Sequence, residues 1–244
     1  MTMIDLTGGA GAERFAQLAL DLHDSGGMDE TVQAVVDFAL QALNCSHAGV
    51  ALIVGGRRLE IPATTDPVVA DIYALQVGGG NGPLTVSLRE HSIVLVRDTI
   101  VDNRWPEWAG KVLELGVRSV LDVPLSTAAG TVGVLGLYSA QPDAFGPDEE
   151  AIAHILARHA SVAVASARHE ANLAQAVDAR KLVGQAMGIL MERYNLDGDQ
   201  AFAVLRRYSQ TTNTKLRDVA LELIESRKLP DEPRIRHGIA SAGE

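Results

Sequence analysis

Cysteine is nearly absent from this 244-residue chain. Cys45 stands alone, which excludes an intrachain disulfide and any multi-cysteine metal cluster. Without a disulfide framework the expected compartment is the cytoplasm. Long apolar runs are missing as well: none approaches the roughly 20 residues that a membrane span requires. The opening residues, MTMIDLTGGAGAERF, lack a basic flank followed by an apolar core, and no signal peptide is expected there. Positive charge is in deficit, with 21 Lys/Arg against 31 Asp/Glu and a net charge of -10. That balance argues against broad, nonspecific nucleic-acid binding by the whole chain. No phosphate-binding loop, kinase motif or receiver-type phospho-acceptor setting occurs. Adjacent carboxylates such as Glu149 and Glu150 suit a helix start. Neither catalysis nor a metal or cofactor is expected.

What remains is ordinary globular material, 47% hydrophobic and 21% charged. The length suits one medium domain plus a small one. Charge is uneven along the chain. Residues 1–171 hold 10 basic and 21 acidic residues, whereas residues 172–229 hold 9 basic and 7 acidic. Any polyanion contact is therefore expected in the C-terminal third.

The first half alternates helix and strand. Residues 12–24 read as helix, and 28–43 carry Val32, Val35, Val36, Ala39, Leu40 and Leu43 at helical spacing. AGVALIV at 48–54 reads as a strand, with 57–63 as its hairpin partner. A short helix over 66–76, a glycine-rich loop at 78–83, a strand at 93–98 and a helix near 106–115 follow. SVLDVPLS (119–126) and TVGVLGLYSA (131–140) flank a four-residue turn, TAAG, and read as a hairpin. Helices at both ends of an antiparallel sheet of five or six strands make an α+β domain.

From Asp148 to about Glu192 there is no proline, and no glycine before Gly184. Pro147 suits a first helical turn, and Asp148, Glu149 and Glu150 suit the positive end of a helix dipole. At ~1.5 Å per residue this helix is about 65–70 Å long. Positions 152, 155, 159, 162, 166, 169, 173, 176, 180, 183, 187 and 190 follow a 3-4 spacing, apolar at the ends and polar between. A homodimer through the 150–192 helix is expected, although one helix lying on its own domain explains part of 150–165. Two shorter helices follow. Asp197 or Asp199 caps one through about Thr211, with Ala201, Phe202, Leu205 and Tyr208 inward. Asn213 or Thr214 caps another through Arg227, with Leu216, Val219, Ala220, Leu223 and Ile224 inward. Pro230 and Pro233 are expected to end ordered structure.

Residues 183–224, VGQAMGILMERYNLDGDQAFAVLRRYSQTTNTKLRDVALELI, resemble the ANTAR domain, a three-helix RNA-binding module of bacterial antiterminators. Ala186, Gly188, Leu190 and Met191 carry the likeness in the first helix. Ala201, Leu205 and Arg206 carry it in the second, and Lys215, Leu216, Val219 and Ala220 in the third. The resemblance implies binding to paired RNA stem-loops with hexanucleotide loops in mRNA leaders, against a competing terminator hairpin. RNA is read mainly in unpaired loops, where base edges are accessible. The candidate RNA-binding residues are Lys181, Gln185 and Gly188, then Arg206, Arg207 and Ser209, then Thr214, Lys215 and Arg217. Met187 stands where many members carry lysine, giving QAMG in place of QAKG, which shifts weight to Arg206, Arg207 and Lys215. The competing reading of the arginines is surface ion pairing, and of Tyr208, core packing.

Residues 12–165 resemble a GAF domain, a signal-sensing α+β fold. The likeness is carried by Val96-Arg97-Asp98, Asp102-Asn103-Arg104-Trp105-Pro106 and Gly116-Val117-Arg118-Ser119. Val123-Pro124-Leu125, Gly133-Val134-Leu135-Gly136 and the AF–DEE run leading into the last helix complete it. The implied signal is an unknown small molecule or protein, and Asp98, Trp105, Trp108 and Tyr138 are the candidates to line a ligand pocket. The two tryptophans either wall a pocket or anchor the loop by packing, and packing carries more weight. The asparagine-lysine-phenylalanine signature of cyclic-nucleotide binders is absent. Cys45 and His47 read as a buried thiol and a strand-edge histidine, not a chromophore or metal site. A GAF-type methionine sulfoxide reductase would need a second cysteine.

The organisation so expected is a GAF-like sensory domain at 12–165, a coiled-coil linker at 166–182, an ANTAR domain at 175–229 and a disordered tail at 230–244. The expected function is a transcription antitermination regulator without a membrane segment. The alternative is a non-catalytic scaffold that uses the GAF domain for protein contacts and the helical tail for dimerisation.

Overall fold

The computed structural model describes residues 13, 16–18, 20–22, 26–55, 58–77 and 80–228, and it divides into two compact units between Ala171 and Asn172. The expected tail at 230–244 lies outside the described residues.

The first unit is a five-stranded antiparallel sheet with helices on both faces. Its described elements are α1 (Met28–Ala42), β1 (His47–Val54), β2 (Arg58–Thr64), α2 (Pro67–Ala74) and α3 (Pro83–Glu90). Then come β3 (Val94–Val96), α4 (Pro106–Glu114), β4 (Ser119–Thr127), β5 (Gly130–Ser139) and the first part of α5 (Pro147–Tyr194). The strand order is β2-β1-β5-β4-β3. Period-two alternation sorts the central strands. Leu121, Val123, Leu125, Leu135 and Leu137 face one core with α1 and with Ala153, Leu156, Ala157, Ala160 and Val164 of α5. Val120, Val134 and Tyr138 face a second core with α2, α3 and α4. Burying each leucine contributes about 1.5–3 kcal/mol, so both faces add to stability.

Two local expectations change. Residues 83–90, of which the sequence reading places only Pro83, in the 78–83 loop, form α3; Gln76 Oε1 accepts from the Leu84 N–H (3.0 Å) and Thr85 Oγ1 from the Gly82 N–H (3.1 Å). Those side chains satisfy donors that the first helical turn leaves open. The β4–β5 connection is a two-residue loop, not four: Thr127 already pairs with Gly130 across the ladder, and the positive φ falls on Gly130 (123°).

The second unit contains the rest of α5, α6 (Gly198–Thr212) and α7 (Leu216–Ser226). Ala186, Leu190, Ala201, Leu205, Val219, Ala220 and Leu223 form its buried centre. Asp197 caps α6 in a reciprocal box with Gln200 (2.8 and 3.0 Å). Neither Asn213 nor Thr214 caps α7. Asn213 closes α6 in the left-handed region (φ 53°), Thr214 Oγ1 donates to Thr212 O, and Lys215 takes the cap position without a side-chain bond. The expected seam also shortens: Val183 and Met187 pack against the three-helix core and Leu190 lies within it. Phe202 is not inward. At 100° per residue, Ala201, Leu205 and Tyr208 share the inner face and Phe202 falls beside it, 39% exposed.

Candidate functional site

The first unit holds a polar centre inside its second core. Gly49, Gly136 and Asp122 stand in one row across β1, β5 and β4. The two glycines leave room where side chains would stand. Tyr73 reaches over from α2 and donates its hydroxyl to Gly49 O (2.8 Å). Its ring meets that of Tyr138 edge to face, with centroids 6.1 Å apart. A Cβ placed on Gly136 would lie 2.6 Å from each tyrosine hydroxyl and 3.0 Å from Asp122 Oδ1, so three polar atoms converge there.

Asp122 is fully buried, and neither carboxyl oxygen has a hydrogen-bond partner. Burial pushes its carboxyl up to about 8, so at neutral pH the protonated form predominates. The Tyr73 and Tyr138 hydroxyls are raised in the same way, first by burial and then by neighbouring acidic groups. Gln76 Nε2, Trp108 Nε1 and the Tyr138 hydroxyl are likewise buried without partners. Buried polar groups are normally satisfied, so the unpartnered Asp122 carboxyl and Tyr138 hydroxyl, which converge beside Gly136, mark a place suited to polar company.

Of the four pocket candidates, Trp105, Trp108 and Tyr138 belong to this core. Trp105 packs edge to face on Trp108 (6.2 Å), and the Arg104 guanidinium sits over its ring (4.5 Å). Asp98 is engaged elsewhere, in a two-pronged ion pair with Arg118 (2.9 and 2.6 Å) that also accepts the Ile100 N–H. The Arg118 pairing holds the Asp98 carboxyl below its ordinary range. None of these four residues lines either of two grooves found among the described residues. The larger, about 620 Å³, runs beside α5 past Leu22, Thr31, Ile155, Val162 and Ser166. The smaller is lined by His91, Pro124, His154 and Ser161 among others. Cys45 donates to Ala39 O (3.6 Å), and burial pushes its thiol up to about 12. Among the described residues no group of His, Cys, Asp or Glu is placed to hold a metal ion, and no helix is long and apolar enough to cross a membrane.

In the second unit the cations point outward. Lys181 and Gln185 are exposed on α5, and Gly188 is open, with no atom within 4 Å of where its Cβ would be. Arg206, Arg207 and Lys215 are exposed. Three other candidates already have partners, Arg217 in an exposed pair. Ser209 Oγ donates to Thr214 O (2.7 Å), the Thr214 hydroxyl to Thr212 O, and Arg217 pairs with Asp218 (3.0 Å). The Ser209–Thr214 bond ties the start of α7 to the last turns of α6. Lys215 therefore lies at the α6–α7 turn, and Arg206 and Arg207 lie near the middle of α6.

The GAF domain family matches residues 26–165, more than half of the sequence. The chain belongs to the GAF domain family. An ANTAR domain follows at residues 171–224. The likeness to solved structures is one of fold. The GAF domain of a phosphoenolpyruvate-protein phosphotransferase from Coxiella burnetii is 18% identical, with TM-score 0.53, covering 68% of this chain and 99% of that one. The corresponding domain from Acinetobacter is 16% identical, with TM-score 0.51, covering 66% and 96%. The Stigmatella aurantiaca phytochrome photosensory core module is 10% identical, with TM-score 0.58, covering 86% of this chain and 46% of that one. No curated protein matches the chain. GAF and ANTAR are regulatory domains, not catalytic ones, and together they fit a regulator with a sensory input and an RNA-binding output.

Sequence reasoning missed Asp122, Tyr73 and Gln76 in the GAF core, and Phe202 on the ANTAR surface. The aspartate left one signal: it is the lone charge in the strand SVLDVPLS, where strand periodicity puts it opposite Leu121 and Val123. Whether its own face was covered depends on α2, far away in sequence.

Proposed function

We propose that this chain is a cytoplasmic transcription antitermination regulator, in which the GAF domain controls an ANTAR domain that binds paired RNA stem-loops in mRNA leaders. The observation that carries the reading is the ANTAR match at 171–224, coincident with a closed three-helix core whose outer surface presents Arg206, Arg207 and Lys215. Lys181, Gln185 and Gly188 are the exposed candidates on α5, Ser209 and Thr214 tie the α6–α7 turn, and Arg217 is exposed beside Asp218. A positive surface gains affinity from phosphates, and loops add readable bases.

We further propose that the chain acts as a homodimer. Val162 (69% exposed) and Leu173 (59%) remain uncovered on the α5 seam, which supports pairing with a second copy between about 155 and 180. Two copies of one surface favour two loops at a fixed separation. The signal is assigned to the polar core, because Trp108 and Tyr138 share it with Asp122 and all three keep buried polar atoms without partners.

The test is a gel shift of purified full-length protein with a synthetic two-stem-loop RNA carrying hexanucleotide loops. Retention of that RNA, and release of one with scrambled loops, is expected. Equal retention of both would overturn loop recognition.

A further inference from the structure

We propose that Phe202 is a stacking platform for an unpaired base of the bound RNA, working with Arg206 one turn further along the same face of α6. The proposal rests on the RNA-binding reading above and names how a loop nucleotide would be held.

The amphipathic pattern of α6 gives Phe202 an inward place, and the packing denies it. Ala201 and Leu205 fill the centre, and Val204 and Tyr208 flank them. Phe202 is left 39% exposed on the outer side. Arg206 is i+4 to it, with Cβ atoms about 5–6 Å apart on a regular helix. Among the described residues Arg206 forms no hydrogen bond or ion pair, so its guanidinium is available. An apolar ring in water beside an available cation suits a partner that is aromatic and anionic within one small unit. A nucleotide is such a partner: its base offers a π-face and its phosphate the charge. Tyr208 does not offer the same service, because it lies half-buried against the core and its turn is closed by the Thr212 hydroxyl on its carbonyl (2.7 Å). Phenylalanine has no hydrogen-bonding edge, so this contact would hold a loop base without reading its identity. Discrimination would fall to the polar residues around it.

The experiment uses the full chain and the two-stem-loop RNA with hexanucleotide loops, followed by fluorescence anisotropy across a range of salt. The variants are Phe202→Leu, Phe202→Trp and Arg206→Gln, each checked for helix content and thermal midpoint. Phe202→Leu keeps apolar bulk and removes the π-face; it is expected to weaken binding by about 5- to 100-fold with the salt slope unchanged. Phe202→Trp is expected to keep the affinity and to add an indole emission that RNA quenches. Arg206→Gln is expected to lower the salt slope by about one. Wild-type affinity in a folded Phe202→Leu variant would overturn the proposal while leaving the RNA-binding reading intact. Loss of self-association in that variant, with RNA affinity kept, would assign the ring to a protein contact and overturn it too. If the wild-type chain fails to bind this RNA at all, the broader reading falls and the stacking contact falls with it.

Discussion

Asp122 and Gly136 face each other across the β4–β5 ladder, and the carboxyl of the first stands where the second has no side chain: a Cβ on Gly136 would be 3.0 Å from Oδ1. A glycine within a strand weakens it, and here the loss makes room for two tyrosine hydroxyls and a carboxyl. The GAF domain thus keeps a costly polar group at the centre of an otherwise apolar core.

The cost should vary with pH. The folded Asp122 carboxyl ionises near 8, against 3.8 for the ordinary residue. Between those values the folded state holds a proton that the unfolded state has lost, so stability falls as pH rises through that window and levels off above it. The slope from this one group is at most about 1.4 kcal/mol per pH unit. Urea unfolding of wild type and Asp122→Asn from pH 5 to 9 should show a difference that grows with pH in favour of the variant. Parallel curves would mean that the carboxyl is solvated.

Two glycines should respond in opposite directions to the same change. Gly136→Ala drives a methyl into the tyrosine hydroxyls at 2.6 Å and should cost about 1–3 kcal/mol in the unfolding of the GAF domain. Gly188→Ala meets nothing within 4 Å on an exposed helix and should stabilise the ANTAR domain by about 0.5–1 kcal/mol. A fall in RNA affinity in that stabilised variant would show close approach of RNA at this position.

The α5 seam can be tested without disturbing either core. Val162→Glu and Leu173→Glu alter exposed positions, where substitutions usually change stability by less than about 0.5 kcal/mol. Sedimentation equilibrium should show the doubly substituted chain as a monomer, with its affinity for two-loop RNA reduced to that for one loop. A dimer that persists would place the interface elsewhere.

Cys45 should be inert in the native protein. With its thiol pushed up to about 12, very little thiolate exists at pH 8. Cys45 is half-buried, so alkylation of the folded chain by iodoacetamide should be slower than that of a free cysteine, and urea should accelerate it. Rapid labelling of the folded chain would refute the assignment.

Much of this architecture was legible in the residues. Helical stripes such as Val32, Val35, Val36 and Ala39, the alternation in β4 and β5, and a helix cap at Asp197 or Asp199, which the structure gives to Asp197, are local patterns, written within a turn or a strand. Local patterns were weakest where satisfaction came from elsewhere. The helix α3 starts because Gln76, eight residues before Leu84, reaches its N–H. Lys215 displaced the expected caps because Asn213 and Thr214 were already committed to closing α6.

The sequence by itself determined the order of most elements, the helix at 83–90 apart, and the family of each domain, because periodicity, caps and motif spacing act over short range. Only the tertiary structure decided which faces were covered. Asp122 became a buried neutral acid through Tyr73 and Gly136, Trp108 was packed by Trp105, and Phe202 was turned outward by Leu205 and Tyr208 taking the inner face of α6. Burial is a property of the neighbours, and neighbours across a sheet or helix pair are set by packing, not by adjacency along the chain.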